Sequence, residues 1–158
     1  MSRGSTLAAA LLLVAALGAA LVVADDAAGG AASDGPVRPI GAAAAGRAVI
    51  HDLPDWLPFG GLALGRHLFL QRSQQTPYGI EHELVHRRQQ AAHPLWFWTS
   101  YLLLPRWRLR WEAEAYAAQA RARCPIDGEH GLAAYLSGPA YLWPASRARA
   151  AAEIRRFL

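Results

Sequence analysis

The sequence predicts an α+β domain, mostly helical, with a small β-sheet or hairpin before its first long helix and an apolar helix at the amino terminus. Three observations predict it. Residues 6–24 run for 19 positions without a charge. Apolar side chains alternate through Leu62, Leu64, His67 and Phe69, with Gly65 between them, at the period of a half-buried strand. From Pro77 onward, stretches delimited by prolines repeat their apolar residues at helical spacing.

Arg3 precedes the apolar run and Asp25 and Asp26 follow it. It reads either as a secretory signal cleaved after Val22-Val23-Ala24 or as one helix long enough to span a bilayer. Both readings place the rest of the chain outside the cytoplasm, secreted or membrane-anchored, because the only early positive charge lies on the amino side. Residues 25–47 are mostly Ala, Gly, Asp and Pro with little to bury, as in a flexible linker. One compact domain is expected over 48–158.

Within that domain residues 49–59, VIHDLPDWLPF, are turn-rich, with Pro54 and Pro58 breaking any long element. GGLALGRHLFLQR follows as two short strands or a bent one. Thr76-Pro77 is a helix start, with Thr as cap and Pro at the first helical position. The helix should run to about Ala92, burying Ile80, Leu84, Val85 and Ala91 and turning Arg87 and Arg88 to water. LWFWTSYLLL, Leu95 to Leu104, is too short to span a bilayer and is expected to be a buried helix rather than a membrane-touching one. After Pro105 a longer helix should stack Trp107 on Trp111. A loop around Cys124-Pro125, a short helix to Leu136, a connection, and a closing helix capped by Ser146 complete the chain.

A single cysteine, Cys124, excludes an intramolecular disulfide scaffold and a cysteine-based zinc site, and is expected to be a half-buried apolar residue. The net charge is +4, carried by arginines that cluster late in a chain with six Trp. They lie along helical segments among alanines and glutamates without a nucleic-acid motif. A solvated face, or attraction to anionic lipid, accounts for them, and no nucleic-acid partner is expected.

The chemistry concentrates in HELVH, residues 82–86. His82 and His86 lie one turn apart on a single helix face, so their imidazoles can converge on one ion. Glu83 lies beside that face, within reach of a water on the metal without ligating it. Zinc tolerates an open fourth position and lowers the pKa of its bound water to roughly 7. A carboxylate placed as Glu83 is can take that proton and return it to a leaving amine. By composition alone, an HExxH match in this chain is about a one-in-a-hundred event.

No third histidine follows on the same helix, where Gln89 and Gln90 stand instead. A His2Glu set would draw its carboxylate from a later helix, and WEAEAY supplies Glu112 and Glu114. Glu112 is the preferred ligand, and a surface ion pair with Arg108 or Arg110 is the ordinary alternative for either. The stretch resembles the E-x-x-A-D signature of glutamate-zincins, with Ala115 at the small position and Tyr116 where Asp often sits. That replacement removes the usual carboxylate behind a ligand histidine, and Glu81 is the possible substitute.

Residues 60–120, with GIEHELVHRRQQ and the EAEAYA segment, resemble small bacterial metallopeptidase domains whose active helix reads HExxHxxQQ. The resemblance implies a minimal zincin holding one Zn2+ on His82, His86 and Glu112, with Glu83 as general base. It also implies peptide or protein substrates, held against an exposed strand edge over Leu64 to Leu70. Tyr116, Tyr135 and Tyr141 are candidates to stabilise an oxyanion. His67 points into the cleft or is structural or exposed, while His51, His93 and His130 are expected at the surface. Gln89 or Gln90 either braces His86 or is plain polar surface. Two rival functions accompany this expectation: a non-catalytic metal-binding module, and a membrane-surface module carried by the WFW cluster and the arginines.

Overall fold

The computed structural model describes residues 48–57, 59–122, 128–142 and 145–158, without the side chains of 128–130 and 140. The amino-terminal apolar helix, the linker and Cys124 lie outside these residues. The described chain is mostly helical with one small mixed sheet, consistent with the α+β class.

Three strands form the sheet: β1 (Val49–Asp52), β2 (Gly61–Leu64) and β3 (His67–Leu70). Leu64 and His67 are joined by a two-residue turn in which Gly65 has φ 54°, a backbone state that glycine adopts without strain. β2 and β3 pair antiparallel, with Ala63 opposite Leu68. β1 was not expected, since residues 49–59 read as turns. Its Val49-Ile50 pair favours an extended chain, and the strand stops before Pro54. It joins β3 in parallel, Val49 opposite His67 and Asp52 opposite Leu70. The order is therefore β1-β3-β2, which corrects the expected edge: β3 is central, and on this side the edge is β2.

A 3-10 turn at Arg72–Gln74 leads to α1 (Pro77–Ala92). The Thr76 hydroxyl accepts from the Gly79 N–H at 3.1 Å, and Pro77 opens the helix as expected. Ile80 and Leu84 pack on Leu68, Leu70 and Ala63 of the sheet. On the other side Val85 meets Ala115 and Ala118, whose small side chains let the two helices approach closely. The expected stripe fails at Ala91, which is exposed, while Gln89 and Gln90 are buried.

Next come α2 (Pro94–Leu103), α3 (Pro105–Arg121), α4 (Gly128–Leu136), a 3-10 turn at Pro139–Tyr141, and α5 (Arg147–Arg155). Ser146 caps α5 from 3.3 Å, and the helix ends at Arg155 rather than at Leu158. Leu109, Ala113, Leu132, Leu136, Ala150 and Ile154 make the core among α3, α4 and α5. Each fully buried Leu or Ile contributes about 1.5–3 kcal/mol to that core. α2 departs from its expected burial. Only Phe97 and Ser100 are buried, and Leu95 and Leu103 are 81% and 66% exposed.

Candidate metal centre

α1 lies between the sheet and α3, and the polar half of its inner face meets the middle of α3. There His82 and His86, one turn apart, face Glu112; all three are buried, Glu112 to 2% exposure. The two Nε2 atoms lie 3.1 Å apart. Glu112 Oε2 lies 3.4 Å from His82 Nε2, and Glu112 Oε1 lies 3.4 Å from His86 Nε2. Among the described residues these three side chains form the one His/Cys/Asp/Glu group whose ligand atoms could hold a single metal ion. Glu112 Oε2 is buried without a hydrogen-bond partner, an atom that a cation would satisfy. Glu114 is not part of the group.

The protein orders this cluster from behind. The Nδ1 of His86 lies 2.9 Å from Gln89 Oε1. The Gln89 amide in turn donates to the Trp111 carbonyl at 3.0 Å and to Glu114 Oε2 at 2.9 Å. That amide orientation makes Nδ1 the donor and turns Nε2 of His86 toward the site. The Tyr116 ring meets the His82 ring edge-on, with centroids 4.7 Å apart. The carboxylate behind His86 is thus Glu114, reached through Gln89, rather than Glu81. The expected ion pairs with arginine do not form here, since Glu114 bonds Gln89 and Arg108 bonds backbone carbonyls.

Gln90, one residue on, donates to the Ala63 carbonyl at 2.7 Å and accepts from the Gly65 N–H, pinning the end of β2 over the helix. Both glutamines of the QQ pair are therefore braces.

Glu83 lines the same cavity of about 350 Å3 as the cluster, together with Gly60, Gly61, Leu62 and Ala63 of the β2 edge. A Cβ at Gly61 would lie 2.2 Å from Glu83 Oε1, so the absence of a side chain makes room for this carboxylate. Burial raises the Glu83 carboxyl above its ordinary value, against the pull of His82 and His86. Burial also raises Glu112, but His86 and His82 outweigh it and hold that carboxyl far below the usual range. For His86 burial lowers the pKa, and the Glu112 carboxylate beside it overcomes this and pushes it up to about 9.

Three tyrosines reach the site. Tyr101 of α2 donates a short hydrogen bond to Glu112 Oε1, a contact eleven residues away that no motif marks. Tyr116 and Tyr141 share a hydrogen bond of 2.8 Å on the cavity wall. Burial raises all three phenols, so they remain hydroxyl donors at neutral pH. Tyr135 sits at the rim, 61% exposed. Arg108 ties the tyrosines down, bonding the carbonyls of Tyr101 and Leu102 at 2.8 Å and that of Tyr141 at 3.2 Å.

His67 does not line this cavity. Its Nδ1 meets His51 Nε2 at 2.9 Å, a pairing that replaces the expected isolated surface position of His51. His93 is exposed as expected, and the side chain of His130 lies outside the described residues. No protein-family model, no curated protein and no solved structure matches this chain, so its function is argued from the arrangement of these side chains.

Proposed function

We propose that the domain is a zinc-dependent metallopeptidase of the glutamate-zincin type, in which His82, His86 and Glu112 hold one Zn2+ and Glu83 is general base and acid. The spacing of the three ligands carries this reading. Zinc bonds of roughly 2.0–2.1 Å in a tetrahedron set neighbouring ligand atoms about 3.3–3.4 Å apart. The two Nε2 atoms, 3.1 Å apart, are close to that edge; each has a different oxygen of Glu112 at 3.4 Å, and one ligand atom from each residue lies within 4.8 Å of the others. The donor set, two neutral imidazole nitrogens and one carboxylate oxygen, is also one that zinc takes in catalytic sites.

Bound zinc would supply a water acidic enough to lose its proton near neutral pH, and an electrophile for a carbonyl oxygen. Glu83 is placed to receive that proton. Its carboxyl is less acidic than a solvated one, which suits a group that must also give the proton to the leaving amine. Tyr116 and Tyr141 share one hydrogen bond at the same cavity, and the hydroxyl that accepts it keeps its own proton to donate to the developing oxyanion. An extended peptide can lie along β2, the sheet edge that borders the cavity, and pair with its backbone.

Glu83→Gln tests the assignment. The variant should keep its zinc and lose hydrolysis of a fluorogenic peptide library by at least a hundredfold, roughly the scale of general acid–base catalysis. Hydrolysis at the wild-type rate would remove Glu83 from the mechanism. Zinc bound by a wild-type protein that cleaves nothing in the library would favour the non-catalytic metal-binding module.

A further inference from the structure

α2 exposes what its sequence was expected to bury. Leu95, Trp96 and Leu103 on the helix, with Leu104 just after it, are 81%, 43%, 66% and 39% exposed. They form an exposed apolar ridge on a helix that buries only Phe97 and Ser100. The ridge continues into an indole: Trp96 and Trp107 meet edge to face, with centroids 5.5 Å apart. Trp107 lies under the Arg110 guanidinium, 5.7 Å from its ring centroid. It also lines a second hollow, between α3 and α5, with Arg106, Arg110, Arg149 and Arg156. One acidic residue, Glu153, shares that hollow and pairs with Arg156 at 2.9 Å.

Apolar side chains, then an indole, then arginines is the order in which a bilayer presents hydrocarbon, interface and phosphate. A protein partner could match the ridge, but the adjoining arginines ask for a surface that is apolar and anionic together. The same chain carries the uncharged run of residues 6–24. Among the described residues no helix is long and apolar enough to cross a membrane.

We infer that the α2 ridge and the arginine hollow together form a docking surface for an anionic lipid bilayer. The ridge enters the acyl boundary and the arginines meet lipid phosphates. Neither contact involves the metal cluster, so the inference stands apart from the peptidase reading.

The test uses the full chain in lipid nanodiscs, with a nitroxide on Leu103→Cys in a Cys124→Ser background. Collision with dissolved oxygen reports burial in lipid, and collision with a polar nickel chelate reports exposure to water. In discs containing phosphatidylglycerol the label should favour oxygen and be protected from nickel. Phosphatidylcholine alone should give weaker protection. Each arginine near such a surface contributes about fivefold to binding. Replacing Arg106, Arg110, Arg149 and Arg156 by Gln should therefore weaken docking by roughly 600-fold. A nickel-accessible label in anionic discs would overturn the inference. Protection that is equal in both lipids and survives the four substitutions would also overturn it, assigning the ridge to another part of the chain or to a second copy.

Discussion

Gln89 shows how the site is fixed at the scale of one side chain. Its amide links His86 to Glu114, so removing it frees the imidazole to rotate without touching a ligand. Gln89→Leu should weaken zinc binding roughly 10–100-fold, by competition with a chromophoric chelator, while circular dichroism stays native. Wild-type affinity would show that packing alone orients His86. At Gly61 the argument is steric. Gly61→Ala sets a methyl 2.2 Å from where Glu83 Oε1 now lies, so the carboxylate must move. Peptide hydrolysis should fall at least tenfold with zinc content unchanged, because general acid–base catalysis requires hydrogen-bond reach. His82, Glu83 and His86 were legible because four-residue spacing fixes a helix face whatever the fold. Glu112 was legible only as a pairing of residue types. Tyr101 was not, because its contact with Glu112 depends on how α2 folds back on α3.

Helix boundaries were legible where local chemistry sets them: Thr76-Pro77 opens α1, Pro94 and Pro105 separate α2 from its neighbours, and Ser146 opens α5. Strand β1 was hidden because four residues carry little pattern beside two prolines. The burial of α2 was misjudged for another reason: an apolar run says that a side chain avoids water, not which element is there to cover it. The element-scale device that sequence did not reveal is Arg108. Its guanidinium closes the carboxyl end of α2, satisfying carbonyls that a helix leaves unbonded, and it holds Tyr141 by the backbone. Arg108→Met should cost about 2–3 kcal/mol in denaturant unfolding, since three half-buried carbonyls lose a charged donor. A loss below roughly 0.5 kcal/mol would mean that water replaces these bonds.

Across the described residues, two cores, sheet with α1 and α3 with α4 and α5, flank the His82, His86 and Glu112 cluster. The charges buried at their junction couple folding to pH. In the metal-free protein the His86 pKa, raised to about 9, contributes stability that is complete below about 6.5 and is lost as pH rises through 9. The depressed Glu112 carboxyl contributes stability present above about 4.5 and lost as acid titrates it in the fold. The melting temperature of the metal-free protein should therefore fall between pH 7 and 10. With zinc this fall should disappear, because the ion takes the place of the His86 proton. Zinc uptake at pH 7 should accordingly release about one proton, read by calorimetry in buffers of different ionisation enthalpy.

The most direct measurement is the metal content of the purified full chain, wild type beside His82→Ala, His86→Ala and Glu112→Ala. One zinc per wild-type chain, lost in each variant while Glu114→Ala retains it, is the predicted result. A folded wild-type protein that takes up no stoichiometric metal when offered zinc would contradict the account, reducing the His82, His86 and Glu112 cluster to a buried hydrogen-bonded network and removing the peptidase reading with it.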